Sequence, residues 1–165
     1  MLPSSLPIFQ FSSASNISNW HVVDDVVMGG VSSGNFNLNN EDYGNFSGTI
    51  SLENNGGFSS LQYKFKSIQV KFFTKVVIEI KGDAKDYQFR IKSKQDHYYS
   101  YVYKFSTNNS WQTIEIPFSI MYPAFRGKKL AMENFNANEI SQIAFLIANK
   151  KKEHFQLLIK GIYLK

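Results

Sequence analysis

The sequence predicts an all-β chain folded as a jelly-roll β-sandwich. At least eight short stretches alternate apolar and polar residues, and polar turns separate them. Aromatic residues make up 16% of the chain, including 15 Phe and 9 Tyr, and such rigid side chains suit pleated surfaces. Only residues 136–141 carry a helical pattern, enough for one turn.

Residues 1–19 are rich in Ser, Pro and Asn, with an apolar knot at Ile8-Phe9-Gln10-Phe11 that suits an edge strand. They are expected as an N-terminal extension packed on a single β-sandwich domain of residues 20–165. Residues 20–23 read as extended. Met28-Gly29-Gly30 is a bend, because glycine admits positive φ at low cost. Residues 31–38 alternate as a strand, and residues 39–45 are turn-like. Residues 46–52 and 58–65 read as a hairpin pair, joined by Asn54-Asn55-Gly56-Gly57 with its Asn-Gly turn signal. In the second of these, Leu61, Tyr63 and Phe65 share one face and Ser60, Gln62 and Lys64 the other. Further strands follow at 76–81, 87–93, 98–105 and 111–116. Residues 143–148 form a continuous apolar run, as in a strand buried on both faces. Residues 155–164 close the chain, and this last strand is free to pair far from its sequence neighbours, which brings the two chain ends together.

Composition narrows the function. The net charge of +5 comes from scattered lysines, with one run at Lys150-Lys151-Lys152, and no nucleic-acid motif accompanies it, so no nucleic-acid partner is expected. The absence of cysteine excludes disulfides, thiolate catalysis and Cys-based metal sites. No apolar run approaches the roughly 20 residues of a membrane helix. The N-terminus lacks the charged start and apolar core of a signal peptide, and no Arg precedes Arg90, unlike a mitochondrial presequence. A cytoplasmic, monomeric protein without a cofactor is expected.

The most specific stretch is residues 20–32, with Trp20, Asp24-Asp25, Val27-Met28-Gly29-Gly30 and Ser32. Further blocks follow at residues 46–58, Tyr87-Gln88-Phe89-Arg90, Trp111, Ile116-Pro117-Phe118, Phe125-Arg126-Gly127, Ile143-Ala144-Phe145-Leu146-Ile147 and from Phe155 onward. In this order the blocks resemble the complex I intermediate-associated protein 30 family, over nearly the whole chain and most closely its small single-domain, bacterial-type members. The resemblance implies a galactose-binding-domain-like jelly roll. For the family's mitochondrial members it implies a chaperone role in assembling respiratory complex I, and so a protein client such as a respiratory-complex subunit; the small bacterial-type members bring no defined role of their own.

The candidate site residues follow from residue chemistry. Asp24 and Asp25 beside a glycine pair suit either a cation site or a bend held by backbone N–H groups. Glu53, at the tip of the expected hairpin, is either a solvated turn residue or the partner of an arginine. Arg90 and Arg126 are the only arginines, and an Arg fork holds carboxylates and phosphates where Lys does not. Each either works in binding or ties a loop to Asp25 or Glu53. Arg90, beside Gln88 and opposite the apolar set of its strand, is expected to join Gln62, Tyr101 and Tyr103 on an exposed sheet face. The aromatic set of Tyr98, Tyr99, Tyr101, Tyr103, Phe105 and Trp111 either floors a sugar-binding face or fills the core. Trp20, Met28, Gly29, Gly30, Gly56, Gly57 and Trp111 are read as structural. His21, His97 and His154 show no metal-ligand spacing, and no catalytic set or metal site is expected. Two functions follow: a binding or assembly-factor module working through Asp25, Glu53, Arg90 and Arg126, or a carbohydrate-binding module on the aromatic and arginine face. A sugar- or ester-directed hydrolase ranks below both.

Overall fold

Alternation along the chain resolves into two packed antiparallel sheets. The computed structural model describes residues 5–165, apart from the side chains of Val27 and Met28, so residues 1–4 of the N-terminal extension and the Met28 side chain lie outside the description. The first sheet has six strands: β1 (Leu6–Gln10), β3 (Ser33–Leu38), β4 (Gly44–Ile50), β6 (Lys75–Lys81), β9 (Trp111–Pro117) and β13 (Glu153–Leu164). Its path is β3-β4-β13-β6-β9, and β1 joins the C-terminal half of β13, pairing Leu6 with Leu164. The first and last strands therefore meet in one sheet. The second sheet has seven strands: β2 (Trp20–Asp24), β5 (Ser59–Gln69), β7 (Asp86–Lys92), β8 (Ser100–Ser106), β10 (Tyr122–Phe125), β11 (Lys128–Lys129) and β12 (Glu139–Ile147). Its order is β11-β10-β8-β7-β12-β5-β2.

The core lies between the sheets. Phe46, Ile78, Ile80, Leu157 and Ile159 from one sheet are fully buried, as are Leu61, Phe89, Ile143 and Phe145 from the other. Each such side chain contributes roughly 1.5–3 kcal/mol of burial. One end of the core is aromatic. Trp20 stacks on Tyr63 with ring centroids 4.7 Å apart and planes 9° from parallel. Phe9 meets both rings edge-on, at 5.3 and 5.2 Å.

Two expectations fail. Residues 136–138 are irregular and 139–141 already belong to β12, so no helical turn forms there. The short helical segments are 3-10 turns elsewhere, at Asp25–Met28, Glu53–Asn55 and Phe118–Ile120. Residues 46–52 and 58–65 do not form a hairpin either. β4 pairs with β3 and β13, whereas β5 pairs with β12 and β2 in the other sheet. The Asn-Gly segment is a crossover. Asn54 and Asn55 both take positive φ, at 55° and 61°, in a 3-10 turn. The N–H groups of the following Gly57 and Phe58 are then drawn to the Asp25 carboxylate instead of a facing strand.

Candidate functional site

Asp25 sits at the first residue of its 3-10 turn and is completely buried. One carboxylate oxygen accepts the Ser32 N–H at 2.9 Å. The other accepts the Ser32 hydroxyl at 2.5 Å and the N–H groups of Gly57 at 2.6 Å and Phe58 at 3.2 Å. Burial alone would push its pKa up, but the bonds from Ser32, Gly57 and Phe58 outweigh burial and hold it below the usual carboxylate value. Gly30 and Gly56 press against this carboxyl group, and a Cβ on either would overlap it. Asp24 is also engaged, accepting the Gly34 N–H at 2.9 Å and the Ser59 hydroxyl at 2.5 Å. Among the described residues, neither acid pairs with an arginine and neither belongs to a group of three metal-ligating side chains. Asp25 is thus a buried tie between the 25–32 bend and the crossover, not a binding residue. The expected partners for its bend were the adjacent glycines, yet the carboxylate reaches Ser32, Gly57 and Phe58 further along the chain.

The tie fixes one wall of a cleft of about 780 Å³ on the outer face of the seven-stranded sheet. Leu52, Asn55, Gly56, Gly57 and Phe58 form this wall; Tyr98, Phe125, Arg126 and Gly127 line the opposite side. Strand pairing builds the floor. Gln62, Ala144, Arg90 and Val102 are successive partners across β5, β12, β7 and β8. The adjoining row on the same face is Ser60, Leu146, Gln88 and Lys104. Arg90 is therefore central and flanked by two apolar side chains. Its Nε and Nη2 donate to Gln88 Oε1 at 3.0 and 2.7 Å. Gln88 holds the side-on edge of the guanidinium and leaves the Nη1 end free of any protein partner among the described residues. Burial lowers the Arg90 pKa, opposed by the neighbouring Tyr122, but the group stays charged at neutral pH.

The other predicted residues separate. Gln62 lies in the Arg90 row. Arg126 lies on the rim, in the two-residue loop between β10 and β11, with Arg126 and Gly127 at φ 50° and 79°. Positive φ at both positions is the geometry of a tight hairpin turn, and the Arg126 guanidinium lies over the Phe125 ring, 5.2 Å from its centroid. Tyr101 and Tyr103 are corrections. They pair with Ile91 and Phe89 and share the inward side of the sheet with them. Tyr101 meets Phe135 edge-on at 5.1 Å, and burial, followed by the Tyr99 hydroxyl, pushes its pKa up to about 12. Trp111 is on β9 of the other sheet, packed on Tyr43 at 4.7 Å, so the aromatic set is no common floor. Glu53 is exposed and, among the described residues, forms no ion pair with Arg90 or Arg126. Neither arginine is a loop tie to Asp25 or Glu53.

Gln142, Lys92, Lys104 and Lys150 also line the cleft, although none of them is among the site residues expected from the sequence. Lys92 and Lys104 were readable from parity: Lys92 follows Gln88 and Arg90 at alternate positions, and Ser100 and Lys104 mark the polar side of β8.

The paired antiparallel sheets, with a walled polar cleft on one outer face, define a jelly-roll β-sandwich. The model of the Complex I intermediate-associated protein 30 (CIA30) family matches residues 9–159, and the chain belongs to that family. No curated protein sequence matches it. Among solved structures, it is similar to a family 11 carbohydrate-binding module from Clostridium thermocellum in complex with a β-1,3-1,4-mixed-linked tetrasaccharide. That likeness has a TM-score of 0.70 at 22% identity and covers 97% of this chain and 94% of that one. The family 11 module of the cellulosomal cellulase Lic26A-Cel5E of the same organism gives 0.69 at 22% identity, covering 94% and 92%. An agarase, AgWH50C, gives 0.63 at 14% identity, covering 98% of this chain and 24% of the agarase. At these identities the likeness establishes the fold.

Proposed function

We propose that this protein is a non-catalytic binding module of the assembly-factor type, engaging a protein client through the cleft on its seven-stranded sheet. The supporting observation is Arg90. It stands half-buried at the centre of the floor, oriented by Gln88 and, among the described residues, without an acidic partner. An uncompensated, pre-oriented guanidinium is costly in an isolated domain and useful only when a partner supplies the complementary group. Family membership supports the client reading. The cleft lining contains no Asp or Glu, so the pair of carboxylates used in glycoside hydrolysis has no counterpart there.

A photo-crosslinking amino acid placed at Ser100, on the cleft floor, or at Thr113, on β9 of the other sheet, tests this in the native host. A discrete adduct from position 100 and none from position 113 is expected. Equal labelling, or adducts only from 113, would overturn the assignment of the cleft.

A carbohydrate-binding reading draws on the similarity to carbohydrate-binding modules and on the rim rings of Tyr98 and Phe125, which meet edge-on at 5.2 Å. A glycan array separates the two readings: selective binding to one glycan class supports this second one, and no hits remove it.

A further inference from the structure

The cleft is lined by five cations, Arg90, Lys92, Lys104, Arg126 and Lys150, and by no acid. Resting on the assignment of this cleft as the working surface, we propose that its occupant is an acidic polypeptide segment, with one carboxylate on the free end of Arg90 and others on the neighbouring lysines. The four ion pairs among the described residues, Lys75–Glu115, Lys85–Asp83, Lys160–Glu79 and Lys165–Glu115, all lie outside this lining. None of the five cleft cations forms an ion pair among the described residues. Lys92 Nζ donates to the His97 carbonyl at 2.8 Å, which satisfies one N–H but no charge. Burial, followed by the nearby Lys64 and Arg90, lowers the Lys92 pKa. The cations repel one another, and a bound anion relieves that repulsion.

The floor favours a peptide over a saccharide. Sugar rings are held on aromatic faces, but the rings of β8 turn inward, and Phe58, Tyr98 and Phe125 stand on the walls. The floor between the cations is Ala144, Leu146 and the amides of Gln62, Gln88 and Gln142. Gln62 and Gln142 each keep an acceptor and a donor, and Gln88, whose oxygen is taken by Arg90, keeps its N–H groups, which the C=O and N–H groups of an extended peptide can meet. The Arg90 end presents two parallel N–H groups, the fork geometry that matches a carboxylate.

The test is calorimetric titration of the whole chain with hexaglutamate, with oligogalacturonate and with a mixed-linked β-glucan tetrasaccharide. Arg90→Gln, Lys92→Gln and Lys160→Gln are compared with wild type, each checked for an unchanged melting profile. Hexaglutamate is expected to bind best, to weaken as salt rises, and to lose at least about tenfold in affinity in Arg90→Gln. Lys92→Gln gives the same direction of loss if Arg90→Gln does not fold, and Lys160→Gln, on the other sheet, leaves binding unchanged. Stronger binding of oligogalacturonate, or of the neutral tetrasaccharide, with the same loss in Arg90→Gln overturns the peptide while keeping the cleft. Hexaglutamate binding indifferent to both cleft variants overturns the cleft as well. No binding by any probe overturns the acidic-peptide proposal, while crosslinking from position 100 separately decides the cleft.

Discussion

The Asp25 carboxylate accepts the Gly57 N–H at 2.6 Å from a residue thirty-two positions along the chain. This bond joins the bend at the start of the domain to the crossover that carries the chain from one sheet to the other. Because the crossover is also a wall of the cleft, the buried acid shapes the site without touching it. Replacing it by Asn keeps the volume but removes the charge and puts an amide donor among groups that are already donors. Asp25→Asn is expected to cost about 3 kcal/mol, the scale of a broken buried charge-assisted network. Urea unfolding monitored by tryptophan fluorescence measures it; a loss below about 1 kcal/mol would show that Asp25 does not hold the crossover.

Acid sensitivity follows from the same carboxylate. Its pKa is lower in the folded than in the unfolded chain, so its stabilisation is fully present above the ordinary carboxylate range and is lost as pH falls through the folded value. Below the ordinary Asp range, the gap in unfolding free energy between wild type and Asp25→Asn should narrow. A gap independent of pH contradicts this.

Glycine substitutions separate close packing from backbone strain. At Gly30 a Cβ would overlap the Asp25 carboxyl group, so Gly30→Ala is expected to cost more than about 2 kcal/mol. Gly127 has φ 79° with nothing within 4 Å of a Cβ, so Gly127→Ala meets only the left-handed backbone cost, about 1–2 kcal/mol. Equal losses, or the reverse order, would contradict the tie around Asp25.

Arg90 should behave unlike a structural residue. It is half-buried between Ala144 and Val102 with no acidic partner among the described residues, so Arg90→Met is expected to leave the melting temperature unchanged or raise it. A stability loss of more than about 1 kcal/mol would make the arginine a structural tie.

Trp20 offers a control at the other end of the core. Trp20→Ala removes the stack on Tyr63 and the edge contact with Phe9, with an expected loss of about 3–5 kcal/mol. Binding by any fraction that remains folded should be unaffected, because the ring does not line the cleft.

The strands were legible because one face of each is buried, and alternation records that directly: Tyr87, Phe89 and Ile91 turn inward and Gln88, Arg90 and Lys92 outward. Which strands pair was not legible at residues 54–57. A local Asn-Gly signal there yields to a carboxylate far away in sequence, and no local pattern reports such a bond. The site was partly readable. Arg90 and Gln62 lie on one face as expected, yet Tyr101 and Tyr103 were assigned by aromatic chemistry against the parity that Ser100 and Lys104 display. Gln142 was not legible because it adjoins the continuous apolar run of β12 and is itself buried, so no alternation marks its side as the polar one.

Amide chemical-shift mapping with hexaglutamate tests the central claim most directly, because it reports where an acidic ligand sits as well as whether it binds. Perturbations confined to residues 60–62, 88–92, 100–104 and 142–146 are predicted. Perturbations centred on β9 or β6 of the six-stranded sheet, or none at saturating peptide, would contradict the assignment of the cleft as the surface that receives an acidic partner.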